Sequence, residues 1–194
     1  MSSALAIAGV TALLRDRLND RIINHDVTSQ VGNSVLVSVL PPDRVLTPNG
    51  SQASQINLFL YHVVPNPGWR NEGLPSLDDR GYQRLSNPPL ALDLHYLIST
   101  YADDDLSAEI LLGYAMQLLH EFPVITRKMI ATAFQVPPTV GAELPAALRA
   151  VADCGLADQL ELLKITPQTL SIDELSKLWT ATQSSIRPSA AYQV

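Results

Sequence analysis

The run Leu90-Ala-Leu-Asp-Leu-His-Tyr-Leu-Ile-Ser-Thr-Tyr101 constrains the fold more than any other segment, because its side chains alternate with the two-residue period of a β-strand. Leu90, Leu92, Leu94, Tyr96 and Ile98 fall on one face, and Asp93, His95 and Ser99 are among those on the other. This pattern predicts a half-buried strand, and a strand needs partners. One comes from Ile56-Asn-Leu-Phe-Leu-Tyr-His-Val-Val64, which is apolar on both alternating faces and therefore predicts a central strand covered on both sides. Val35–Leu40, stopped by Pro41-Pro42, predicts another. Gln159–Ile165 has the look of a further strand, and the short, uncharged stretch Ser189–Val194 predicts one at a sheet edge, open to a strand from a neighbour.

Helical spacing accounts for much of the rest. Ala6, Val10, Leu13, Leu14 and Leu18 recur at the interval of one helix face, behind Ser2 and Ser3 as capping candidates. Asp103-Asp-Asp105 precedes a predicted helix through about Phe122, whose apolar stripe is Ile110, Leu111, Tyr114 and Leu118 and which Pro123 ends. A second helical run covers about Val124 to Phe134, and Leu144 to Asp153 predicts a short helix ended by Gly155. Ser171-Ile-Asp-Glu174 is a capping box, in which hydroxyl and carboxylate reciprocally satisfy free backbone N–H groups. Behind it Leu175, Leu178 and Trp179 form one face, so Trp179 is expected in the core. The fold class that follows is α+β: helices packed on one mixed or mainly antiparallel sheet. A single domain is expected over residues 1–194, with a long loop at about 65–89 and a C-terminal strand at about 189–194.

Composition narrows the function. Thirteen Lys and Arg oppose nineteen Asp and Glu, for a formal charge of −6, and the longest basic cluster is Arg127-Lys128. Binding phosphates by counterion release needs a concentrated positive face, so nucleic acid is not an expected partner. No stretch approaches the roughly 20 apolar residues that span a bilayer, so direct membrane insertion is not expected and the chain reads as soluble. The lone Cys154 excludes a disulfide framework within the chain.

Each candidate for chemistry has a structural explanation. His25, His62, His95 and His120 include no pair at the i, i+4 spacing that brings two imidazoles to one ion on a helix. Structural, hydrogen-bonded histidines are expected. Asp103–Asp105 reads as a group that caps the following helix and complements its dipole. Cys154 lies between Asp153 and Gly155, with no basic neighbour in sequence to lower its pKa. Neither a nucleophile elbow nor a phosphate-cradling glycine loop is present. No catalytic residue, cofactor or metal ligand is therefore assigned. Trp69-Arg70 in the long loop has two readings: an interface anchor, since Trp and Arg are enriched at hot spots, or an indole folded back over the core.

Several segments together resemble one family. They are Asn57-Leu-Phe-Leu-Tyr-His62 followed by Asn66, Pro88-Pro-Leu-Ala-Leu-Asp-Leu-His-Tyr-Leu97 running to Tyr101, and Ile110-Leu-Leu-Gly-Tyr-Ala-Met116 with Leu119-His-Glu121. Toward the end come Ile165-Thr-Pro, Leu175-Ser-Lys-Leu-Trp179, and Arg187-Pro-Ser with Tyr192. In order and spacing the set resembles the N-terminal domain of cap, or tail-terminator, proteins of antifeeding-prophage-type contractile injection systems. The resemblance implies a tail-terminator fold and a homo-hexameric ring on the terminal sheath and inner-tube subunits, stopping polymerisation and coupling sheath to tube. It also implies synthesis and assembly in the bacterial cytoplasm, in a particle that is released or retained. The candidate interface residues are Trp69, Arg70, Arg187 and Tyr192. The competing classes are an enzyme with sites dispersed in sequence and a scaffold for an unrelated peptide.

Overall fold

The computed structural model describes residues 4–24, 27, 31, 34–45, 54–69, 80, 90–134, 154–156 and 162–194. In chain order they form α1 (Ala6–Asn24), β1 (Leu36–Ser38), a 3₁₀ turn (Pro42–Arg44), β2 (Gln55–Pro65), β3 (Leu92–Tyr101), α2 (Ser107–Glu121), β4 (Val124–Ile125), α3 (Arg127–Ala133), β5 (Leu163–Lys164), β6 (Thr166–Gln168), α4 (Ile172–Ala181) and β7 (Ser189–Gln193). The main sheet has the order β1-β2-β3-β7-β6. Only β1 runs parallel to its neighbour, so the sheet is mixed and the α+β expectation is met. β4 and β5 form a separate antiparallel pair.

The two strongest sequence signals exchange roles. The alternating run becomes β3, the middle strand, buried on both faces over most of its length; Leu90 lies outside it and is largely exposed. Tyr96 and Ile98 enter the large core, while Leu97 points to the opposite side, into a smaller cluster with Trp179 and Ala191. The run apolar on both faces becomes β2, which is covered only in its first half. The reason is topological: β1 is three residues long and pairs only Gln55–Asn57, so the rest of β2 forms part of an edge.

The large core forms where α1 and α2 cover one face of the sheet. Val10, Leu13, Leu14, Leu18 and Ile22 of α1 are buried there, as the helical period requires, together with Leu111, Ala115, Leu118 and Leu119 of α2. Val27 and Val31, four residues apart in a stretch that reads as polar, join the same core. Gly9 sits where α1 meets Cys154: a Cβ there would lie 2.9 Å from the Cys154 Sγ, so the close approach requires glycine's missing side chain. Cys154 is buried, the setting of an inert thiol.

Thr11 and Tyr96 link α1 to the sheet, their hydroxyl oxygens 2.8 Å apart. Burial pushes the Tyr96 phenol up to about 12, with the Thr11 hydrogen bond pulling the other way. An acid whose folded pKa exceeds its unfolded value of 10.0 leaves stability intact below pH 10 and erodes it as pH rises toward 12. Moving from pH 9 to 11 should therefore cost about 1.4 kcal/mol through Tyr96 alone. Urea midpoints should fall over that interval, and less steeply in Tyr96→Phe. A flat profile for the parent protein would contradict the burial argument.

Local signals are met unevenly. The Ser171–Glu174 capping box forms, with both reciprocal hydrogen bonds in place, and the Ser171 N–H and hydroxyl, both donating to Glu174 Oε2, hold that carboxyl below its usual range. The N-cap position of α2 falls to Leu106, which follows Asp103–Asp105 and lies in the left-handed region with φ 67° and without a side-chain cap. The run Val124–Phe134 is helical only from Arg127, because Thr126 caps it, and Val124-Ile125 pairs with β5 instead. Of the predicted strand Gln159–Ile165 the described residues are 162–165, and Leu163-Lys164 form a strand there. The chain breaks pairing at the buried Ile165, whose N–H donates to the Pro123 carbonyl, before β6. β7 is not an edge strand, since β6 pairs with Ala191–Gln193 on its outer side. Ser2, Ser3, the segment 144–153 and most of the 65–89 loop lie outside the described residues.

Candidate functional site

Of the four interface candidates, Trp69 has the clearest local architecture. Asn66 follows directly on β2, and its N–H donates to the Ala91 carbonyl at the entry to β3 (3.0 Å). Its amide nitrogen donates to Asp93 Oδ1 (2.8 Å), while Oδ1 accepts from the N–H groups of Gly68 (2.9 Å) and Trp69 (3.2 Å). The turn is thereby tied to the sheet by its first residue, an Asx-type use of the side chain. It presents Trp69 at 37% exposure rather than folding it over the core. Arg70 lies outside the described residues.

Arg187 sits elsewhere. Its guanidinium carbon lies 5.7 Å from the centroid of the Tyr101 ring, a cation–π arrangement. Both line an open cleft of ≈ 380 Å³ with Pro42, Asp43, Gln183 and Ser184. Because Trp69 is tied to Asp93 and Arg187 to Tyr101, the length of β3, about 27 Å at strand rise, separates the two. They cannot form one site. Tyr192, the fourth candidate, is 4% exposed and packs into the large core from β7.

The structure brings together two residues that the sequence kept apart. His62 of β2 stands directly opposite His95 of β3, with ring centroids 5.5 Å apart and planes tilted by 36°. A β-bulge produces this pairing. Up to Leu60, opposite Tyr96, the register would set Tyr61 against His95 and send His62 to the other face. The extra residue at Tyr61 shifts the ladder by one and turns His62 onto the His95 face. Gln168 of β6 completes the cluster: its Oε1 accepts from the Tyr61 hydroxyl (3.1 Å) and lies 2.8 Å from His95 Nδ1. His95 is thus the hydrogen-bonded histidine that was expected, while His62 is exposed. Both residues were visible as strand positions, but the bulge that aligns them leaves no local signature.

For catalysis the inventory is poor. Among the described residues no group of three or more His, Cys, Asp or Glu side chains is placed to hold a metal, and the Arg187 cleft has a single carboxylate, Asp43. No helix among them is long and apolar enough to cross a membrane. The sequence pattern of the Pvc16 N-terminal domain matches residues 9–194. This chain belongs to the Pvc16 N-terminal domain family. Among solved structures, this family member is similar to the PVC sheath/tube terminator of an extracellular contractile injection system in its extended state, seen by cryo-EM. The TM-score is 0.53 at 13% identity, over 100% of this chain and 55% of that one. The anti-feeding prophage tube-terminating cap gives a TM-score of 0.44 at 15% identity, over 80% of this chain and 46% of that one. The chain thus spans about half the length of these solved proteins. At such identities the likeness to the PVC terminator establishes the fold. No curated protein matches the chain.

Proposed function

We propose that this family member is a non-enzymatic cap subunit of a contractile injection system, a protein that works by binding. The observation that carries the reading is the match along the chain: the family pattern spans residues 9–194, and the fold follows that of a sheath/tube terminator over 100% of its length. In this reading copies of the chain close into a homo-hexameric ring on the terminal sheath and inner-tube subunits. The ring stops polymerisation and couples the end of the sheath to the end of the tube. It assembles in the bacterial cytoplasm as part of the particle.

Head-to-tail rings need two different patches on each subunit, because each surface meets its complement on a neighbour. Trp69 and Arg187, at opposite ends of β3, suit that geometry, and Arg70 remains a candidate as the next residue in sequence after Trp69. Electron microscopy of the purified chain, and of particles from its host, tests the proposal. Six-fold rings with a tube-sized opening, and uncapped tubes of irregular length when the gene is deleted, are the expected results. A persistent monomer together with normal tubes in the deletion strain would overturn it.

Trp69→Ala supplies a sharper prediction. Its exposed indole leaves the fold intact when truncated, whereas a hot-spot anchor costs about 2 kcal/mol or more in association, roughly a thirtyfold loss. Sedimentation velocity should show a folded monomer where the parent chain forms rings. Unchanged ring formation, or loss of the folded circular-dichroism signal, would remove Trp69 from the interface.

A further inference from the structure

We propose that His62 and His95 form a two-imidazole chelate for a divalent transition-metal ion, of the Cu²⁺, Ni²⁺ and Zn²⁺ class, on the same face of the sheet as α4. The separation is appropriate. Metal–nitrogen bonds near 2.0–2.1 Å with a near-tetrahedral angle between them hold two imidazole centroids roughly 5 Å apart, and the rings here stand at 5.5 Å.

The surrounding hydrogen bonds set the right tautomer. Gln168 Oε1 is an acceptor and already receives the Tyr61 hydroxyl, so the proton between it and His95 resides on Nδ1. The lone pair of His95 therefore lies on Nε2. A ligating histidine ordinarily donates its second ring nitrogen in this way, which fixes ring orientation and raises ligand basicity. The bulge at Tyr61 provides the geometric counterpart: without it His62 would face the opposite side of the sheet. Bulges are over-represented where a strand re-aims a side chain next to a site. Two protein ligands leave the remaining coordination positions to water. The ligand type selects imidazole-seeking ions over Mg²⁺ and Ca²⁺, and Cu²⁺ should bind more tightly than Ni²⁺ or Zn²⁺.

Isothermal titration of the full chain with NiCl₂, ZnCl₂ and MgCl₂ tests the site. One Ni²⁺ and one Zn²⁺ per chain are expected, with no Mg²⁺ binding. His62→Ala and His95→Ala should each abolish the transition, with circular dichroism unchanged for the exposed His62. Gln168→Ala keeps both ligands and should weaken Ni²⁺ about tenfold through loss of the orienting hydrogen bond. Because His95 is partly buried, a His62→Ala variant that is folded yet silent is sufficient support. Binding of undiminished affinity in His62→Ala/His95→Ala, or no saturable Ni²⁺ binding by the parent chain, would overturn the proposal.

Discussion

Truncating Trp179 to alanine should cost about 3–5 kcal/mol of folding stability, the range for removing a fully buried large aromatic. In a chain of this size that corresponds to a fall in Tm of roughly 10 °C. Trp179 is 1% exposed and forms the smaller core with Leu97 and Ala191, against which Tyr61, Leu170, Leu175 and Leu178 pack. This core lies on the face of the sheet opposite α1 and α2, and α4 supplies its cover. With few residues in the cluster, neighbours have little material with which to refill the cavity. The indole also carries a burden: its Nε1 is buried without an acceptor among the described residues. An unmet buried donor costs about 1–3 kcal/mol. Trp179→Phe removes that donor while retaining most of the ring, so its cost should stay near 1 kcal/mol despite the smaller volume. Urea titrations of both variants measure the contrast. Equal losses for Phe and Ala would show that the orphan N–H does not matter, and a loss below about 1 kcal/mol for Ala would show that α4 is not held through this residue.

Trp179 was legible in the sequence for a simple reason: a capping box fixes where α4 starts, and a period of 3.6 residues then puts Leu175, Leu178 and Trp179 on one face. The same local logic correctly gave the buried face of α1. It failed where long-range pairing decides the outcome. Hydrophobic alternation told that β2 and β3 are strands but not which is central, because that depends on β1 stopping after three residues and on β7 returning from the far end of the chain to flank β3. Tyr192 illustrates the same limit. Near the chain's end and next to extendable residues it read as available, but pairing with Tyr96 across the β3–β7 ladder carries it into the core. At the candidate site, Trp69 in a turn was readable as an exposed possibility. The His62–His95 juxtaposition was not, since a one-residue bulge changes which face a histidine occupies without changing the pattern of residue types.

Asn57→Leu should destabilise the protein by about 3 kcal/mol, although leucine looks better suited to the apolar run that surrounds it. Asn57 is fully buried, and its amide works as a false strand partner for β1. Oδ1 accepts from the Ser38 hydroxyl (2.7 Å) and from the Leu40 N–H (3.1 Å), while Nδ2 donates to the Leu40 carbonyl (2.9 Å). Gln55 extends the network through its own amide to Ser38 Oγ. Leucine fills the volume but removes three hydrogen bonds at once, one from the Ser38 hydroxyl, which keeps its Gln55 partner, and two from the Leu40 backbone, each worth about 1 kcal/mol. The network also specifies register. β1 has only three paired residues in parallel with β2, and a short strand of Leu, Val and Ser has little else to stop it slipping by one, which would turn every side chain to the other face. Asn57→Asp separates the two halves of the argument. Its carboxylate keeps both accepted hydrogen bonds but sets an acceptor against the Leu40 carbonyl, so the variant should be strongly destabilised at neutral pH. Burial and that repulsion raise the folded pKa of the new carboxyl, and stability should therefore rise as pH falls through it and the protonated oxygen donates to Leu40. Denaturation of Asn57→Asp at pH 7 and pH 4, with the parent chain as reference, checks the sign. Stability independent of pH in the variant, or a neutral effect of leucine, would mean that β1 is held by its apolar side chains instead.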